Sequence, residues 1–451
     1  MSTNVNDHTT DHTTDHTALV AFWQEVERMG GPKRYIRSEL DRAGVPVRKR
    51  VNITRIKDDK LRAAYIADRK LEEDARSPLR RKVWDAYRAT HLVHLGLDIH
   101  WNDVVGVDFF DPYKRKQRIL DNALPEIESV DQLIGHLREA VPEMDVPTLR
   151  WFCYHREVAR ALHYRPYTIP KKSGGVRHIW APLPRLKALQ RWILHNIAER
   201  LPRHGAAHGF VVGRSIVTNA RAHTGAQVLV NADLKDFFPT YTFPRVKGIF
   251  RAAGYLEGIA TLLTLLCTEA PRLPLTVDGE KLFVASGPRC LPQGSPASPA
   301  LTNAACLRLD RRLAGYAAKG GWRYTRYADD LTFSLPTDSD SGQRVRALLQ
   351  AIHIITADEG LTVHPDKTTV RRPGQLMEVT GLVVNGSGEP RVPRAFRRRL
   401  RAALHNLEQG RPLPAGESPA RLMGYAAFLH SADPEEGRRQ LEALQAQLAS
   451  L

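Results

Sequence analysis

Asp329 and Asp330 stand side by side between two stretches of alternating hydropathy, Trp322–Arg326 and Leu331–Leu335. A period of two marks a half-buried strand, so the pattern predicts an antiparallel hairpin over Thr325–Leu335 with both carboxylates at its tip. Adjacent carboxylates repel, and a divalent cation that prefers hard oxygen ligands, such as Mg²⁺, gives them a reason to share one turn. A third acid at the end of another strand would complete such a site. Asp233, which follows the apolar run Val228-Leu229-Val230, is the candidate. Two metals held by Asp233, Asp329 and Asp330 would activate a 3′ or 2′ hydroxyl and hold a leaving pyrophosphate. Taken alone, an Asp-Asp pair also suits an ordinary surface turn.

Charge narrows the partners. The 451 residues carry 66 Lys+Arg against 49 Asp+Glu, a formal net charge of +17, which points to a polyanion, most simply nucleic acid. With 42% hydrophobic and 25% charged residues the chain is neither disordered nor fibrous. The four cysteines, Cys153, Cys267, Cys290 and Cys306, form no CxxC pair. A structural zinc site and a disulfide framework are therefore not expected, and a reducing cytoplasmic setting fits. The longest apolar run, Gly258–Cys267, is too short to span a bilayer.

Along the chain, residues 1–17 contain the repeat DHTTDHTTDHT and read as a disordered tail, since nothing in it can be buried. His8, His12 and His16 would share a helix face, but Thr is a poor helix former. Residues 18–145 read as a basic, mainly helical extension: Ala18–Met29 is amphipathic and Asp58–Thr90 is long and charge-laced. Residues 146–390 mix strands and helices without a βαβ repeat, which predicts an α+β domain. Within them Trp151–Tyr164 has a helical pattern. Tyr167–Pro170 and Val176–Trp180 read as a hairpin around Lys171–Gly175, and Pro184–Leu201 as an amphipathic helix. Residues 391–451 are helical and basic, with Arg394, Arg398 and Arg401 on one face and Arg397 and Arg399 beside them.

Four segments whose order and spacing agree resemble a reverse transcriptase: Tyr327-Ala328-Asp329-Asp330; Asp233 through Pro239; Leu291-Pro292-Gln293-Gly294-Ser295-Pro296-Ala297-Ser298-Pro299; and Tyr167 through Arg177. The likeness covers roughly Trp151 to Leu451, and four ordered motifs are specific where one would be weak. It implies a right-hand polymerase with fingers, palm and helical thumb behind the N-terminal extension. Asp233 and Asp329 would hold two Mg²⁺ ions with Asp330 assisting. Lys171, Lys172 and Arg177 would meet the triphosphate, because its charge needs cations. Phe238 would exclude a ribose 2′-hydroxyl. Gly294 would allow close backbone approach with the Gln293 amide beside it, and Lys367 would protonate the leaving pyrophosphate.

Two further segments are similar to bacterial retron reverse transcriptases: Asn219-Ala220-Arg221-Ala222-His223, of the form N-A-x-x-H, and Val379-Thr380-Gly381. That resemblance implies priming from a 2′-hydroxyl of the enzyme's own structured noncoding RNA. It implies a branched RNA–DNA product, dNTPs as substrates, and anti-phage defence with an effector protein, away from membranes. Asn219, His223, Val379, Thr380, Gly381 and the Arg394–Arg401 face would contact the RNA. A group II intron-type or other defence-associated reverse transcriptase is the neighbouring reading, and a catalytically idle RNA-binding scaffold the one from another class.

Overall fold

The computed structural model of the chain describes residues 12–47, 58–96, 99–102, 115–153, 157–171, 175–337, 341–386, 388–413 and 416–449. At its centre lies a four-stranded antiparallel sheet ordered Thr369–Arg371, Val228–Asp233, Asp330–Leu335, Arg323–Tyr327. Both faces of this sheet are covered. Val228, Val230, Leu331 and Phe333 enter the largest core, while Leu229 enters a second core on the other side. Covering on both faces explains why Val228-Leu229-Val230 reads as a continuous apolar run rather than an alternating one.

The large core is walled by helices, among them Pro184–Asn196, Phe243–Ala253, Glu257–Cys267 and Leu307–Lys319. Glu257–Cys267 is buried on every side, so its apolar sequence reflects a central core helix. No helix among the described residues is long and apolar enough to cross a membrane. All four cysteines are free and buried, and burial pushes the Cys290 thiol up to about 11 and that of Cys153 up to about 12. The second core joins Leu229 and Ala220 to Val379, Leu382 and the C-terminal helices Arg394–Glu408, Pro419–Ala432 and Pro434–Ala449. A third, small core gathers Trp23, Tyr35, Leu40 and Val83 from three N-terminal helices.

Several expectations change. The first helix, His12–Arg28, begins inside the stretch expected as a tail. It leads without a break into Trp23 and Val26, whose burial supports propagation toward the N-terminus. His8 lies outside the described residues, as do Arg48-Lys49-Arg50. The extension is not all helix: Leu92–Gly96 pairs with Ile99–Asn102. From Ile119 to Met144 the chain belongs to the large core, so the separately packed N-terminal unit ends before residue 119. The helical pattern over Trp151–Tyr164 stops at Cys153. Val158–Ala159 then pairs with Glu280–Ala285, and buried Tyr164 opens the next strand. The amphipathic stretch from Pro184 ends as helix at Asn196, with a 3₁₀ turn at Ala198–Arg200. A hairpin of Arg272–Val277 with Glu280–Ala285 went unread, although Asp278-Gly279 between alternating residues is its signal; both turn residues have φ near +49° and +80°.

Candidate active site

The register of the central sheet sets Asp330 opposite Asp233 and, on its other side, opposite Tyr327. The Leu234 amide donates to the Asp329 carbonyl at 3.0 Å, and the His364 amide to the Asp233 carbonyl at 2.7 Å. Asp233 and the adjacent Asp329-Asp330 pair, far apart in sequence, thus converge at one end of the sheet's two inner strands. The Lys367 ammonium donates to Asp233 Oδ1 at 2.8 Å. Burial, then the charge of Asp233, raises the Asp329 carboxyl above the usual range, with Lys367 and Arg177 pulling the other way. Asp330 stands at the open mouth of the site. The surrounding protein, then Asp329 and Asp233, nonetheless push its carboxyl up to about 7.

This crowding of carboxylate oxygens, compensated only in part by Lys367, fits a hard divalent cation. Among the described residues no three His, Cys, Asp or Glu side chains already close into a metal-holding group. Lys367 holds one Asp233 oxygen instead.

Beside the carboxylates stands the Tyr164–Pro170/Val176–Pro182 hairpin, closed by the Lys171 amide on the Gly175 carbonyl. Lys171 and Arg177 are exposed, and Arg177 is close enough for its charge to act on Asp329; Lys172 lies outside the described residues. Gln293 ties the loop to this hairpin, its carbonyl accepting from the Trp180 amide at 2.7 Å. A Cβ on Gly294, at φ +118°, would come within 2.8 Å of the Trp180 carbonyl. The hairpin strand's close backbone approach therefore itself requires glycine here. Phe238 is half-buried against the large core, with its ring 5.5 Å from Phe237.

Comparison with known proteins gives a family for this arrangement. The family "Reverse transcriptase (RNA-dependent DNA polymerase)" matches residues 169–384. The Retron Mx162 reverse transcriptase of Myxococcus xanthus is 46% identical over 437 residues, covering 95% of this chain and 89% of that one. The chain belongs to the retron reverse transcriptases. It is an RNA-directed DNA polymerase. The Retron Ec86 reverse transcriptase of Escherichia coli is 34% identical over 306 residues, 67% of this chain and 86% of that one.

In this retron reverse transcriptase the N-A-x-x-H residues do not face outward. Asn219 and His223 are both fully buried. His223 bridges the hydroxyls of Thr325 and Ser334 at 2.8 and 2.7 Å, and burial lowers its pKa to about 3, which keeps the ring neutral. It braces the two strands of the hairpin that carries Asp329 and Asp330, and its buried ring is turned inward rather than toward a ligand surface. Val379 is buried as well. Thr380 and Gly381 form a two-residue hairpin turn, both with positive φ, and the Thr380 hydroxyl donates to the Ile216 carbonyl at the start of the N-A-x-x-H helix. The two signature segments therefore pack on each other. Arg394, Arg398, Arg399 and Arg401 are exposed, whereas Arg397 is half-buried.

Sequence reasoning passed over Arg326 and Asp310, and read Gly209 only as part of the Ala207–Ile216 segment, which resembles the stretch leading into N-A-x-x-H in retron enzymes. Arg326 is fully buried with Asp310 beneath the turn, and a Cβ on Gly209 would meet the Ala328 amide at 2.7 Å. The available signal was a charge at an inward strand position, immediately before Tyr327.

Proposed function

We propose that the end of the sheet bearing Asp233, Asp329 and Asp330 is the polymerase centre, with Mg²⁺ as its metal. The central sheet then serves as palm, the hairpin of Lys171 and Arg177 as fingers, and the three C-terminal helices as thumb. The observation that carries this reading is the register that sets Asp330 against Asp233 while Leu234 holds the Asp329 backbone.

Bound Mg²⁺ would lower the pKa of the attacking hydroxyl and neutralise charge on the phosphates. The chain's own residues do the rest. Asp233, Asp329 and Asp330 supply the oxygen ligands. Arg177 with Lys171 and Lys172 orients the triphosphate. The attacking hydroxyl gives up its proton to solvent, and as its oxygen bonds to the α-phosphorus the bond to the bridging oxygen breaks. Lys367, released from Asp233, gives a proton to the departing pyrophosphate. Phe238 lies five residues past Asp233 and would abut the sugar at C2′.

The retron relatives support a further reading. The enzyme primes from a 2′-hydroxyl of its own noncoding RNA and makes a branched RNA–DNA hybrid, in anti-phage defence alongside an effector protein. The exposed Arg394, Arg398 and Arg401 face supplies phosphate contacts to that RNA. In the proposed organisation residues 12–91 form an accessory helical unit, and the catalytic body begins near residue 115.

Primer extension by Asp329→Asn tests the centre. DNA synthesis is lost while RNA binding persists, because one oxygen ligand goes and the basic surface stays. Parental activity in this variant would remove Asp329 from the site.

A further inference from the structure

Arg326 is among the largest fully buried side chains of the described residues, and it lies on the strand that leads into the acidic turn. Its guanidinium donates Nε to Asp310 Oδ1 at 2.9 Å and Nη2 to Asp310 Oδ2 at 2.8 Å. Nη1 donates to the Ala328 carbonyl at 3.0 Å. Asp310, on the Leu307–Lys319 helix, is fully buried and also accepts from the Tyr324 hydroxyl at 2.8 Å. Ala328 holds φ at +56°, a conformation that non-glycine residues rarely take without local compensation. From the other side Gly209 closes on the Ala328 amide, and its own carbonyl accepts from Asn303 at 2.9 Å. The backbone of Arg326 is fixed too, its amide donating to Ala206 and its carbonyl accepting from His208, both at 2.8 Å.

A buried ion pair is poor evidence of a stability role, since desolvating two charges offsets most of their attraction. An apolar pair could fill the same space without the cost of desolvating two charges. What an apolar pair could not do is donate to the Ala328 carbonyl. We infer that Arg326 and Asp310 are positioning residues: an ionic clamp that holds the strained Ala328 turn so that the next residue, Asp329, keeps its carboxylate aimed at the metal. The inference rests on the reading of Asp329 as a metal ligand.

Arg326→Met/Asp310→Leu separates this from stability. It removes both charges together and leaves neither buried alone. We expect a folded protein, its melting temperature lowered at most modestly by the unpaired Ala328 carbonyl and Tyr324 hydroxyl, with unchanged affinity for annealed primer–template. Calorimetric Mn²⁺ affinity should weaken, and kcat fall, by about tenfold or more, the usual cost of losing a residue that orients a ligand. A role in packing alone would move neither metal affinity nor kcat in a folded protein. Arg326→Lys gives a second reading, because it keeps the buried charge pair but cannot span Asp310 and the Ala328 carbonyl with one ammonium. It should show the same two losses. Parental Mn²⁺ affinity and kcat in either folded variant would overturn the clamp. Asp329→Asn serves as control. If it too keeps both, the site assignment fails; if it loses both while the clamp variants keep them, only the clamp fails.

Discussion

Lys367 Nζ stands 2.8 Å from Asp233 Oδ1, and Asp330 lies directly opposite Asp233 in the sheet register. One half-exposed cation thus tempers three carboxylates, and the hydrogen bond to Asp233 in turn raises the Lys367 pKa. Lys367→Met should lower the metal-free melting temperature modestly, since a pair this exposed contributes about 1 kcal/mol or less. The rise in melting temperature on adding Mg²⁺ should grow, because more repulsion is left for the cation to relieve. Melting curves with and without Mg²⁺ decide it; an unchanged Mg²⁺ increment would show that Lys367 does not neutralise the cluster.

Asp330 sets a pH dependence. Its folded pKa, about 7, lies above that of an unfolded aspartate. Between these values the metal-free native state binds more protons than the unfolded state. Its contribution to stability therefore falls as pH rises from about 4 to about 7. Mg²⁺ must displace that proton, so the half-saturating Mg²⁺ concentration should drop as pH is raised toward 7 and level off above it. Asp330→Asn should flatten this part of both profiles. Metal titrations across this range, followed by thermal shift, provide the measurement, and identical slopes in parent and variant would clear Asp330 of the effect.

Phe238 is half-buried, and its ring meets Phe237 edge-on. If its outer edge abuts C2′ of the incoming sugar, Phe238→Val should raise ribonucleotide incorporation relative to deoxyribonucleotide by about tenfold or more, while costing about 1–3 kcal/mol of packing. Competition between rNTP and dNTP in single-nucleotide extension reads the ratio. Unchanged selectivity in a folded variant would leave Phe238 as a core residue only.

On the Arg394–Glu408 helix, Arg394, Arg398 and Arg401 are exposed and share a face, while Leu400, Ala403 and Leu404 anchor the opposite side. Replacing the three arginines with alanine should leave the fold intact and weaken cognate RNA binding. It should also reduce the slope of log affinity against log salt, by up to about 3 units if each arginine meets a phosphate. Extension of a generic annealed primer should suffer less. An unaltered salt slope would move RNA recognition to another basic surface.

Much of the proposed catalytic centre was legible in the chain, because its signals are local. Asp329-Asp330 between alternating strands, Val228–Ala232 ending at Asp233, and the glycine-rich turn before Arg177 each depend on period and turn chemistry within a dozen residues. Those forces do not need the rest of the protein. What the tertiary structure decided is which polar residues turn inward. Asn219, His223 and Val379 read as surface motifs, yet all three are buried, because the sheet face beneath them must be covered and His223 satisfies two buried hydroxyls there. Arg326 and Asp310 lie on a strand and a helix whose packing brings two charges together in the core, and Gly294 needs its freedom because Trp180 approaches from a distant hairpin. Burial and long-range pairing are properties of the assembled core, so no local pattern encodes them. The identities of the acids follow from the sequence, whereas the clamp beneath them exists only once strand, helix and turn have packed together.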